Sequence, residues 1–383
     1  MLRRDLFRAW LATPWAGRVG LWWPRAAGGG TEGPDAASVY RKAFGWAKGL
    51  RPEDSRWLGE AATIAIDDQR RADALIRRAR PALAAIREAA AVDRCSWGVE
   101  VLGPDDLCQG HLDVSQIDVI RAACLSARRL ARSGRGSEAL GDVFAGLTLA
   151  HRVGTGGVFI ARVLECGGEA PAFRALGRIL PELDASALDE LARRLDALPA
   201  PEPASAAIGP ESRFLLGSIR SKLPAIGPRI EREGWADLGF DEEGASVLDR
   251  LTGGDRAALL AHLDATGPSF AELARRLDLP RPGCRAALDE FAEAERATWP
   301  IASGLVDAAW GVRHVVDRMR ALRSMIRAGL ALVRDGEAAF RAARDPFGTG
   351  TFELERRGTG WVIRSALRDE GRPGTSLEVG EVA

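Results

Sequence analysis

Cys95, Cys108 and His111 form the one close grouping of cysteine and histidine in this chain. Thiolate sulfur and imidazole nitrogen are the usual zinc donors, and a structural zinc site takes four of them in tight pairs. The spacing C-x12-C-x2-H lacks one such pair, and Asp113 could add an oxygen only in a geometry that the pattern does not indicate. Small buried cysteines and a hydrogen-bonded histidine are the expected outcome. Cysteine–histidine catalysis is not announced either, because no neighbour marks one thiol as ionised. His151, His262 and His314 each stand alone on helical sequence and are expected to be structural. Gly154-Thr155-Gly156-Gly157 has no preceding strand and no following GK[ST], so it reads as a turn between helices rather than a phosphate cradle. Paired carboxylates such as Asp67-Asp68, Asp105-Asp106 and Glu242-Glu243 fit solvated faces. The sequence therefore nominates no catalytic residue, no cofactor-binding residue and no metal ligand set.

One segment suggests a different chemistry. Ser269–Phe291, SFAELARRLDLPRPGCRAALDEF, resembles the helix-turn-helix of winged-helix regulators, with Arg281 and Arg285 near the start of a recognition helix. Asp278 stands where that turn usually has glycine, and Asp289, Glu290, Glu293 and Glu295 would repel phosphate. Two ordinary packed helices explain the same pattern, so nucleic acid is not the expected partner.

The elements around these residues are mostly helical. Ala123–Arg152 predicts two amphipathic helices, Val114–Ser133 and Ser137–Val153, joined at Ser133-Gly134-Arg135-Gly136. Ala127, Leu130, Ala139, Val143 and Gly146 occupy packing positions of a tetratricopeptide-type hairpin, which needs stacked neighbours to bury its apolar face. Apolar periodicity over Ile64–Ala91 predicts a long helix that Pro81 should kink or split. Separate helices are expected at Val158–Cys166 and Pro171–Leu180, and another at Ser186–Leu198, capped by Ser186. In the second half, helices are expected over Ser212 onward, Leu248–Ala265, Phe270–Leu277, Gly283–Arg296 and Ile301–Asp335, with Gly227–Gly244 as loop. Alternation in Thr351–Arg356 and Trp361–Leu367 around Gly358-Thr359-Gly360 predicts a β-hairpin. Trp361 is expected to lie across Phe352 or Leu354 and to cover the end of Ile301–Asp335.

The resulting fold class is mainly α: an irregular stack of antiparallel helical hairpins, TPR-like, ending in a small β-hairpin. The expected units are a tail and linker at 1–36, a hairpin subdomain at 37–198, a proline-rich hinge at 199–211, a second helical subdomain at 212–343, the hairpin at 344–368 and a disordered tail at 369–383.

Bulk properties agree with this reading. The 383 residues balance 53 basic against 53 acidic side chains, so no overall field recruits nucleic acid or anionic lipid. Five scattered cysteines do not make a disulfide framework. Arg3-Arg4-Asp5-Leu6-Phe7-Arg8 looks like a twin-arginine export signal, whereas tryptophans among arginines over residues 1–25 suit peripheral contact with a membrane interface. Arg18 interrupts the apolar run well short of the ~20 residues a spanning helix needs. Location is left open between the cytoplasm and association with the envelope.

Residues 345–371 resemble the tail of type II secretion major pseudopilins, in which Asp-Pro-aromatic-Gly opens a β-hairpin and leads to an acidic loop. Asp345, Pro346, Phe347 and Gly348 match the opening, Arg364 replaces a tyrosine, Ser365 matches, and Asp369 is the sole acidic match in the loop. The pseudopilin loop binds calcium; too few oxygen ligands match here for that property to be implied. Neither the cleavage site nor the hydrophobic helix of a pilin subunit is read in residues 1–36. A group of uncharacterised bacterial helical proteins resembles the chain more broadly, from about Ala37 onward, through Cys95-Ser96-Trp97-Gly98, the Ala127–Arg152 hairpin and the Leu180–Pro201 pattern. That resemblance implies an architecture and no activity. The expected function is a non-enzymatic scaffold or adaptor that holds a protein or peptide, in a bacterial envelope process. A DNA-binding regulator using 269–291 and an unrecognised hydrolase are the alternatives.

Overall fold

A computed structural model describes residues 35–61, 68–97, 114–155, 157–240, 242–368 and 374–382. The molecule is mainly helical and carries a three-stranded antiparallel sheet at its carboxyl end. The first helices are α1 (Ala36–Lys48), α2 (Pro52–Ala61), α3 (Gln69–Ala90), α4 (Ser115–Arg132), α5 (Gly136–Gly154) and α6 (Phe159–Ile179). They are followed by α7 (Ala185–Asp196), α8 (Ile208–Lys222), α9 (Arg232–Asp237), α10 (Glu242–Thr252) and α11 (Arg256–Ala265). The last are α12 (Gly267–Leu277), α13 (Arg281–Glu295), α14 (Pro300–Gly304), α15 (Val306–Asp335) and α16 (Glu337–Ala342).

α4 and α5 form the hairpin that the sequence predicts. Gly134 turns the chain in the left-handed conformation (φ 74°), which a side chain rarely tolerates. Ala127, Ala139 and Val143 are fully buried between the two helices. A Cβ on Gly146 would sit 3.3 Å from Ile120, so the small residue lets the backbones approach.

Two helices continue through an internal proline. α3 is unbroken across Pro81, whereas 64–67, the start of the expected helix, lie outside the described residues. The carbonyl that Pro81 leaves without a donor belongs to Arg77, an exposed position where solvent can serve it. α6 is likewise one helix through Gly167, Gly168 and Pro171. It is buried on almost every side, and a Cβ on Gly168 would meet Ile120 at 2.6 Å and Ala150 at 3.0 Å. Packing from α4 and α5 on one side and α15 on another holds a helix that local propensity alone would break.

Smaller corrections follow local chemistry. Asp184, rather than Ser186, caps α7 by accepting from the Ala187 amide at 2.8 Å. The expected Leu248–Ala265 helix is two, divided at Gly253-Gly254, both with positive φ. The expected loop at 227–244 contains α9, whose Trp235 is buried with Leu238, Leu248 and Leu263 in a small separate apolar cluster.

The main core extends from Ala36 to Val379 and includes buried residues on both sides of 199–211. α15 packs along α6, and arginines of those two helices lace the proline-rich segment down. Arg323 donates to the Pro199 carbonyl at 2.6 Å and Arg162 pairs with Glu202, while Arg327 donates to the Leu195 carbonyl of α7 at 2.6 Å.

At the carboxyl end, β1 (Glu353–Arg357) and β2 (Gly360–Arg364) make the expected hairpin, with Leu354 opposite Ile363 and Arg356 opposite Trp361. A third strand, β3 (Ser376–Val379), pairs with β2 and places Leu377 opposite Ile363. The tail expected to be disordered at 369–383 thus supplies a buried strand: Leu377 and Val379 are fully covered. Gly177 of α6 explains the close fit, since a Cβ there would come within 2.4 Å of the Glu378 carbonyl oxygen. Arg178 adds an ion pair with Glu378 and donates to the Gly380 carbonyl at 3.2 Å.

Candidate functional site

The residues that the sequence singles out for chemistry are dispersed. Cys108, His111, Asp113 and Asp369 lie outside the described residues, as do residues 1–34. Cys95 is half-buried, and burial pushes its thiol up to about 11, away from the thiolate that nucleophilic work requires. Cys124, Cys166 and Cys284 are buried, and burial raises their thiols as well. Among the described residues, no three His, Cys, Asp or Glu side chains converge as a metal site would need.

The histidines go three separate ways. His262 stacks on Trp299, ring centroids 4.4 Å apart, and burial lowers its pKa. His314 is buried beside Arg281, with Nδ1 3.4 Å from the guanidinium. His151 Nδ1 lies 3.0 Å from Glu165 Oε1, while Arg162 donates to the other carboxylate oxygen at 2.7 Å. Gly154 makes room for that carboxylate, because a Cβ there would fall 2.0 Å from Glu165 Oε2. The His151–Glu165 pair lines neither the cavity beside Trp361 nor the groove along α3.

The arginines of the helix-turn-helix candidate are occupied. Arg281 is turned inward, donates to Asp317 at 2.8 Å and lies over the Trp310 ring. Arg285 is shared between Asp289 and Asp307. Arg281 is thus held within the fold, whereas Arg285 stays exposed between two surface carboxylates.

The DPFG opening is a structural clasp. Asp345 is buried and its carboxylate accepts from Ser365 Oγ at 2.9 Å, from the Phe347 amide at 3.0 Å and from the Ala366 amide. Two of the residues that carry the pseudopilin resemblance, Asp345 and Ser365, thus bond to each other and close the turn onto the end of β2. Trp361 is half-buried and borders a cavity of about 490 Å³ with Phe352, Leu354 and Phe340. It shares that lining with Glu337, Phe340 and Arg341 of α16, whereas Ile363, Val379 and Leu180 are the residues that reach Gly329 of α15.

The feature that sequence reasoning missed is on the outer side of α3. An open groove of about 990 Å³ runs between α3, the end of α4 and the start of α5. Its floor exposes parts of Ile76 and Leu130 above the buried Leu83, and its rim carries Arg70, Arg77, Arg80, Arg87, Arg129 and Arg135 against only two carboxylates, Asp73 and Glu138. Three of the arginines are engaged: Arg87 with the buried Asp142, Arg129 with Asp73 at 3.1 Å, and Arg135 with Glu138 at 2.6 Å. Arg70, Arg77 and Arg80 are exposed and have no ion-pair partner among the described residues. Their mutual repulsion is maintained by the helix, whose other face is fixed by burial of Ala72, Leu75, Ala79, Ala82 and Ile86. Nearby, Asp54 binds Arg51, Arg71 and Arg78. Burial alone would raise its carboxyl, but hydrogen bonds from the three guanidinium groups outweigh that and hold it at about 2. The sequence carries only arginines seven and ten residues apart on one helix, opposite the apolar stripe, which by themselves do not announce a groove.

Chemically, the arrangement can recognise anionic groups bidentately above an apolar surface. No family model, no curated protein and no solved structure matches this chain.

Proposed function

We propose that the chain is a non-enzymatic helical scaffold, an irregular TPR-like stack of hairpins, which holds a protein or peptide partner in the groove between α3, α4 and α5. The observation that carries this reading is the pairing of the partly exposed Ile76 and Leu130 with arginines that no internal carboxylate among the described residues neutralises. Exposed guanidinium groups spaced along one helix contribute little to the fold, since even paired surface charges are worth about 0–1 kcal/mol. A binding role gives them a use. The buried hairpin α4–α5 and the central helix α6 supply the rigidity that a preformed groove needs.

The test is affinity capture of the intact protein from its own cells, in parallel with an Arg77→Glu/Arg80→Glu variant. The reading expects a copurifying protein that the variant loses while its circular dichroism and thermal melt stay unchanged. Identical copurification by both forms would place the function elsewhere.

A further inference from the structure

Resting on that reading of the groove, we propose that its occupant is an acidic amphipathic helix of another protein, seated with carboxylates on Arg70, Arg77 and Arg80 and apolar side chains on Ile76 and Leu130. Charge complementarity selects the anion. The three arginines are exposed and unpaired among the described residues, and a guanidinium matches a carboxylate with two parallel hydrogen bonds.

The spacing selects a helix. Residues seven and ten apart on α3 lie roughly 10 and 15 Å apart along its axis, at a rise of about 1.5 Å per residue. A second helix laid along α3 has the same rise, so carboxylates seven and ten positions apart reach all three arginines at once. The helix-lined trough between α3 and α4 suits the apolar ridge of such a partner, in the usual helix-in-groove mode.

Two features disfavour a polyphosphate. Asp73 lies between Arg70 and Arg77 in sequence and is held there by Arg129, so the positive strip is interrupted by a fixed negative charge. Ile76 and Leu130 stay partly exposed in the groove; a sugar–phosphate backbone or a lipid headgroup layer would leave them uncovered, whereas the leucine-type face of an amphipathic helix buries them.

A phage-displayed library of random 16-residue peptides, panned against the intact protein, tests this. Enriched peptides are expected to carry Asp or Glu at helical spacing around apolar residues. Their synthetic forms should bind at least tenfold more weakly to Arg77→Glu/Arg80→Glu, and a peptide with Glu replaced by Gln should lose a similar factor on the unaltered protein. Tenfold corresponds to about 1.4 kcal/mol, within reach of two charge-assisted hydrogen bonds. Both arginines are exposed, and the milder Arg77→Gln/Arg80→Gln variant guards against a misfolded control. Enriched peptides that depend on the groove yet are neutral or basic would overturn the acidic helix and leave the groove reading intact. Enrichment of peptides indifferent to both variants, or no enrichment, would overturn both. A 20-base-pair DNA duplex or phosphatidylglycerol vesicles binding more tightly than any peptide, through Arg77 and Arg80, would assign the groove to phosphate instead.

Discussion

Single side chains here are fixed by burial more than by sequence neighbours, and Glu211 is the clearest case. It sits on α8, buried, and accepts from the Phe159 amide at 2.8 Å, so it caps the start of α6 across the fold. Burial raises its carboxyl to about 7, and the amide hydrogen bond only partly offsets this. An unfolded glutamate titrates near about 4.3, so the folded state binds this proton more tightly. The contribution to stability is complete below about pH 4 and is lost as pH rises through about 7. Glu211→Gln should therefore flatten the fall in denaturation midpoint between about pH 5 and 8, by an amount on the order of 2 kcal/mol. An unchanged slope in the variant would show that Glu211 stays ionised in the fold. Asp54 acts in the opposite sense: held at about 2, its contribution is present above about pH 4 and disappears as pH falls through 2. None of this is visible in the sequence, where Glu211 and Asp54 look like ordinary surface carboxylates.

Elements are legible where periodicity is strong and ambiguous where tertiary packing overrides it. The α4–α5 hairpin can be placed from sequence to within a few residues, because Ala127, Ala139 and Gly134 mark close packing and the turn together. α6 reads as two helices because Gly167, Gly168 and Pro171 are local breakers, yet three neighbouring helices hold it as one. β3 escapes sequence reading although Leu377 and Val379 alternate, because four residues amid glycine and charge give too short a signal. The sheet ranks its own residues. Ile363 is fully buried between Leu354, Leu377 and α15, whereas Trp361 is half-buried at the mouth of a cavity. Ile363→Ala should cost about 2–5 kcal/mol in urea unfolding, and Trp361→Ala less than that. The reverse order would mean that Trp361, and not the Ile363 row, anchors the sheet.

At the scale of the molecule, residues far apart in sequence share one core, and the arginines of α6 and α15 bind the 199–211 segment rather than leaving it free. The candidate site is the least legible part. Reactive residue types are the natural signal in a sequence, and here the cysteines and histidines are scattered, while the arginine strip of α3 looks like the polar side of any amphipathic helix. Periodicity assigns such a strip to solvent; only the fold shows that α4 and α5 rise beside it to make a groove. The proposed scaffold stands or falls on where a partner contacts the chain. Hydrogen–deuterium exchange across the intact protein, with and without a copurified partner or a library-selected peptide, reads that directly. Protection of residues 69–90 and 126–138 on binding is the predicted result. Protection confined to 269–291, or spread with no focus on α3, would contradict it.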